Sequence, residues 1–155
     1  MSDIKVKNDA NICVGKYMAI TQRMLNAFLR QRLENTDINP SMFMFLLQLV
    51  GHDGLSQKQI NDSMQYNKGV VTRIANQLEK KGYIIRKSND QDHRAYRLHL
   101  TKKAENFQPT MINILKEWNE VILSDETEEA IETLNTTLER IATKSINKVK
   151  EVKNG

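Results

Sequence analysis

The sequence predicts a mainly α fold with a small β-hairpin, a winged helix-turn-helix core flanked by helices at both chain ends, and three observations carry that prediction. Between Leu55 and Thr101 two short helical patterns run straight into a basic stretch with strand periodicity. A crowded apolar segment stands just before them, over Met42 to Val50. Long amphipathic stripes with helical spacing lie on either side of the whole region.

In chain order, residues 1–9 are polar without a clear period and read as a loose arm. From about Ala10 to Leu33 the apolar residues Tyr17, Ile20, Met24, Phe28 and Leu29 recur at threes and fours, which is one face of a helix. The polar run ENTDINP stops it. Pro40 suits the first turn of the next helix, where its missing amide costs nothing, and the density of Met42, Phe43, Phe45, Leu46, Leu47, Leu49 and Val50 marks a buried prop. GHDG then closes that helix with two glycines.

Ser56 and Gln59 form the S-x-x-Q pattern of a capping box, so a short helix starts near Ser56 with Ile60 and Met64 on one face. The polar run Gln65 to Asn67 breaks the period as a tight turn. Asn67 is a good cap for a second helix that ends before Gly82. At 100° per residue the two sides of this helix differ. Val70, Val71, Ile74, Ala75 and Leu78 face inward, while Lys68, Gly69, Thr72, Arg73 and Asn76 fill the opposite arc. A row of donors, with a glycine that lets another backbone come close, is what a helix laid in a major groove requires. On a lone helix such an arc is an ordinary solvated face, and the neighbouring elements tip the balance.

After Gly82 the period becomes two. YIIRK, a turn-rich SNDQDH and RAYRLHL make a hairpin with a long tip, in which Arg94, Tyr96, Leu98 and Leu100 alternate with Ala95, Arg97 and His99. Arg86, Lys87, Arg94 and Arg97 make the ribbon basic, and a thin basic ribbon can enter a minor groove, where negative potential is focused. Thr101 caps a further helix with Phe107, Met111, Ile114, Leu115, Trp118 and Ile122 on one stripe. Pro109 within it predicts a kink, or a helix that starts later than Lys102. SDETEE supplies caps and early acids for a last helix with Ile131, Leu134, Leu138 and Ile141 in register.

The segment from Leu55 to Thr101 resembles the DNA-binding core of the MarR family of transcription regulators. The wing of that family carries Asp-x-Arg followed by a strand ending in Leu-Thr, and Asp92, Arg94, Leu100 and Thr101 stand at those places. The resemblance implies that Arg94 enters the minor groove, that Asp92 helps to hold it, and that the helix from Lys68 reads the major groove. The expected DNA-contacting set is therefore Lys68, Gly69, Thr72, Arg73, Asn76, Arg86, Asp92, Arg94 and Arg97. The chain then reads as a single MarR-type domain over 1–155, with a winged-helix lobe at 40–101 and dimerisation helices at 10–35 and 102–150. A two-fold homodimer would present two recognition helices to successive major grooves of a pseudo-palindromic operator on double-stranded DNA. That arrangement suits a repressor, because a clamped dimer blocks polymerase. The alternative is that the terminal stripes close a monomeric core.

With 155 residues, 27% charged and 39% hydrophobic, the chain is an ordinary single globular domain, and a net charge of +4 permits nucleic-acid binding without requiring it. No apolar run is long enough to span a membrane and no leader pattern opens the chain, so a cytoplasmic protein without a membrane partner is expected. One cysteine rules out an internal disulfide. His52, His93 and His99 form no ligand pattern, no nucleophile turn or phosphate loop is present, and neither a metal, a cofactor nor catalysis is expected. Cys13, four residues before Tyr17, resembles the peroxide-sensing branch of the family and leaves a cysteine-based redox regulator as an alternative. The aromatic partner that branch places later in the helix is absent, since Ala27 and Phe28 stand there. A winged-helix protein-interaction module is the other alternative, against which Lys68, Arg73 and the basic wing argue. The resemblance also allows a small-molecule effector in a cleft, with Phe43, Met44 and Trp118 as candidates that read equally as core; no ligand-binding residue is assigned.

Overall fold

Along the chain the elements are α1 (Ala10–Leu33), α2 (Pro40–Leu49), β1 (Leu55–Ser56), α3 (Gln57–Met64), α4 (Lys68–Lys80), β2 (Ile84–Ser88), β3 (Tyr96–Leu100), α5 (Lys102–Ile122) and α6 (Glu128–Asn154). This computed structural model describes residues 10–92 and 95–154, with side chains from Cys13 onward.

Local chemistry starts the helices where the sequence places them. Asn39 Oδ1 accepts the Met42 amide at 2.9 Å and Pro40 takes the first turn of α2. In α3 the capping box closes both ways, Gln59 N–H to Ser56 Oγ at 3.2 Å and Ser56 N–H to Gln59 Oε1 at 2.8 Å. Asn67 caps α4 by accepting from Gly69 N–H. Past its end, Gly82 sits at φ +77, and Tyr83 N–H returns to Leu78 O at 2.9 Å, so the chain leaves α4 through a stiff turn.

The expected hairpin is the larger part of a three-stranded antiparallel sheet in the order β1-β3-β2. Leu55 and Ser56 pair with Leu98 and Arg97, a third strand too short to show any periodicity in the sequence. Gly54, at φ +87, precedes it, and a Cβ there would meet the His99 ring at 3.1 Å, so both the backbone and the space require glycine. α5 begins at Lys102, capped by Thr101, and runs as one helix through Pro109, so that of the two expected outcomes, a kink or a later start, the later start does not occur. Pro109 and Glu105, whose carbonyl loses its amide partner, both lie on the exposed side, where water can serve that carbonyl.

The core is one cluster. Phe43, Phe45, Leu46 and Leu49 of α2 are enclosed by Ile60, Val71, Ile74, Ala75, Leu78, Ile84 and Leu98 from the helix-turn-helix and sheet. Leu29 and Leu33 of α1 and Ala104, Met111 and Ile114 of α5 belong to the same cluster. The halves of α1 and α5 nearest the winged helix are thus part of the same core. Their far halves are different. Tyr17 is 59% exposed and Met24 52%, Val121 of α5 is 72% exposed, and α6 has no buried residue among those described.

Candidate nucleic-acid interface

The geometry of α4 follows from its sequence. Val71, Ile74, Ala75 and Leu78 are buried, with Val70 half-buried at the margin, and the arc of Lys68, Gly69, Arg73 and Asn76 is exposed. Among the described residues neither the Lys68 ammonium nor the Arg73 guanidinium makes a hydrogen bond or ion pair within the chain. Two cations on one exposed arc keep their full donor capacity for an outside acceptor.

The other members of the expected set are placed differently. The Thr72 hydroxyl donates to Lys68 O at 2.9 Å and accepts from Gln57 Nε2 at 2.7 Å, so it serves the joint between α3 and α4. Its methyl group is what remains for a partner. Arg86 of β2 forms an ion pair with Glu79 and donates through Nη2 to Asn76 Oδ1 at 2.7 Å. It therefore braces α4 from the sheet and occupies the Asn76 oxygen. Arg97 donates to Gly54 O at 2.9 Å, which ties β3 to the turn before β1. Asp92 lies at the hairpin tip, where its backbone bridges Asn89 and Ala95. Arg94 and His93 lie outside the described residues.

Sequence reasoning did not pick out the groups that hold this face in place. His99 Nδ1 is 2.7 Å from Asp53 Oδ2, while Asp53 Oδ1 accepts the Leu100 amide at 2.8 Å, so the α2–β1 turn grips the base of the wing. Partial burial works against the Asp53 charge, but the Leu100 amide and His99 outweigh it and hold the carboxyl below the usual range. Gln65 is left-handed at φ 53, ends α3 and puts Tyr66 on the surface beside the start of α4. Nothing in a linear reading joins Asp53 to His99, 46 residues on. Of the expected effector residues, Phe43 is fully buried in the core, Met44 packs on that core, and Trp118 stands against Phe28 with ring centroids 5.2 Å apart.

A free cationic arc on the second helix of a helix-turn-helix, beside a basic ribbon, is suited to the grooves and phosphates of duplex DNA. No cluster of metal-binding side chains is present among the described residues, and no helix among them is long and apolar enough to cross a membrane.

Comparison with known proteins agrees. Residues 36–95 match the model of the MarR family. The HTH-type transcriptional regulator BilQ of Clostridium symbiosum is 25% identical over 125 residues, 81% of this chain and 87% of that protein. The structure of a MarR transcriptional regulator from Methanosarcina mazei superposes with a TM-score of 0.78 at 27% identity, over 86% of this chain and 96% of the other. A MarR family regulator of Listeria monocytogenes complexed with a 26mer DNA shares the fold at a TM-score of 0.86 and 22% identity, over 100% of this chain and 97% of the other. The arc of α4, the winged fold and these likenesses lead to one conclusion: residues 36–95 carry the MarR family's pattern, and the chain is similar to DNA-binding, winged-helix transcriptional regulators of that family.

Proposed function

We propose that this regulator is a cytoplasmic repressor that binds a pseudo-palindromic operator as a homodimer and is released by a small ligand. The observation that carries the reading is the exposed arc of α4, on which Lys68 and Arg73 have no partner among the described residues, while Val71, Ile74, Ala75 and Leu78 are buried on the other side. In this reading Arg73 reads a guanine edge, Lys68 anchors a phosphate, the Thr72 methyl and the Asn76 amide nitrogen touch neighbouring base edges, and Gly69 allows the backbone of α4 to approach. Arg94 takes the minor groove from the wing tip, as the family resemblance implies, with Asp92 beside it. Arg86 and Arg97 act one step back, by holding α4 and β3 where the contacts are made.

The homodimer is supported by the apolar surface left over by the core. Tyr17, Met18, Ile20 and Met24 on α1, Val121 and Ile122 on α5, and Leu134 and Leu138 on α6 are all exposed. Large apolar side chains at helical spacing on three helices make a surface that a second copy can bury with two-fold symmetry. The relative from Listeria complexed with DNA supports the DNA half of the proposal by its fold.

A gel shift of the purified protein against the DNA upstream of its own gene, with light scattering on the same sample, tests the reading. A dimer that shifts this DNA in preference to scrambled duplex is expected. Equal binding to both duplexes would refute operator recognition.

A further inference from the structure

Three distant parts of the chain meet at one carboxylate. Tyr83 leaves α4 through the stiff turn at Gly82, and its side chain is only 4% exposed, so its hydroxyl needs an internal acceptor. It donates to Asp37 Oδ1 at 2.6 Å. Lys103, in the first turn of α5, donates to Asp37 Oδ2 at 3.2 Å and to Lys81 O at 2.9 Å, with its ammonium 4.3 Å from the centre of the Tyr83 ring. Phe107 meets the same ring edge-on at 5.9 Å. Asp37 cannot easily follow a moving partner, because Thr36 pins the bend between α1 and α2. The Thr36 hydroxyl donates to Leu33 O at 2.8 Å and accepts Ile38 N–H at 3.2 Å.

We infer that Asp37 is a positioning residue: through Tyr83 and Lys103 it fixes the exit of the recognition helix to α1 and α5, and so sets the separation of the two recognition helices in the dimer. Only Lys81 and Gly82 stand between the last residue of α4 and Tyr83, and the Tyr83 amide is itself bonded to Leu78, so restraint at the phenol passes directly to α4. From the other side, Thr101 N–H donates to Tyr83 O at 3.0 Å and its hydroxyl to Gly82 O at 2.5 Å, which brings α5 to the same turn. α1 and α5 carry the exposed stripes assigned to the second copy, and α4 carries the DNA face. The Asp37 cluster is where those two groups of elements are joined by polar contacts, which are directional in a way that apolar packing is not. The inference rests on the dimeric reading above.

The experiment is a spin-label distance measurement across the dimer, with Cys13→Ser removing the native thiol and a single label on Lys80→Cys at the exposed end of α4. It is made on otherwise unchanged protein and on Asp37→Asn and Tyr83→Phe, which keep the shape of each side chain. One narrow distance is expected without the added substitution, and a broadened or shifted one in each variant. Affinity for a duplex selected from a randomised pool by the wild-type protein should fall about tenfold if the competent arrangement drops to about a tenth of the population. The salt dependence should stay unchanged, because the same phosphates are contacted. Should Asp37→Asn melt early, Tyr83→Phe, which keeps the packed ring, decides. A dimer whose distance distribution and affinity are unaltered in the variants overturns the positioning role. Absence of any inter-label distance in unaltered protein overturns the dimeric reading instead.

Discussion

Arg73 and Lys68 lie on the same face of α4, yet their removal should be felt in different quantities. Because neither side chain has a partner among the described residues and both are exposed, Arg73→Ala and Lys68→Ala should each change folding stability by no more than about 0.5 kcal/mol. Any larger effect must come from the complex with DNA. A guanidinium bridging guanine O6 and N7 is worth about 1–3 kcal/mol of discrimination against the wrong base. Arg73→Ala should therefore reduce the ratio of operator to scrambled-duplex affinity by roughly 5- to 150-fold. A phosphate contact does not depend on sequence, so Lys68→Ala should weaken both duplexes together and lower the salt slope by about one. The assay is a fluorescence anisotropy titration of each variant on both duplexes at one salt concentration, repeated at several salts for the slope. If Arg73→Ala left the ratio intact, α4 would be holding backbone alone, and specificity would have to come from DNA shape or from the wing.

Other outcomes follow from the same geometry. Leu138→Asp should place a carboxylate in the apolar seam proposed between two copies and yield a monomer by light scattering; a wild type that is already monomeric at micromolar concentration would refute that seam. Arg94→Ala should lower operator affinity and the salt slope by about one, and an unchanged slope would put the wing tip elsewhere. Burial, with the Asp37 bond, raises the Tyr83 hydroxyl well above the usual tyrosine value of 10.0. Its contribution is thus complete below about pH 10 and is lost as the pH rises beyond, so the fall in Tm from pH 8 to 11 should be smaller in Tyr83→Phe than in wild type. Phe45→Ala, at a fully enclosed core position, should cost about 3–5 kcal/mol in denaturant unfolding, and a loss under 1 kcal/mol would contradict the packing described.

How far the interface could be read in advance depended on how local its causes were. The caps at Asn39, Ser56, Asn67 and Thr101 act within three residues of themselves, and the structure has each where the sequence reading starts or supports a helix. The two arcs of α4 follow from a rotation of 100° per residue, and the buried set differs from the expected one only in Val70, at its edge. By contrast, Arg86 looked in sequence like one more basic residue of a DNA-binding ribbon. Its place on β2 opposite Glu79 and Asn76 turns it into a brace, which no count of positive charges could have shown. Thr72 differs for a similar reason, since Gln57 from the preceding helix takes its hydroxyl.

Periodicity, capping and turn chemistry are interactions between near neighbours, so the order and type of the elements, the inward and outward faces of α4 and the likeness to the MarR family are written in the chain itself. Which polar groups are free and which are already engaged follows from the folded arrangement alone. β1 exists because β3 offers it a ladder, Asp53 holds His99 across 46 residues, and Asp37 gathers Tyr83 and Lys103 from 46 and 66 residues away. Such contacts are made by closing long loops around a packed core, and no local propensity encodes which ends will meet.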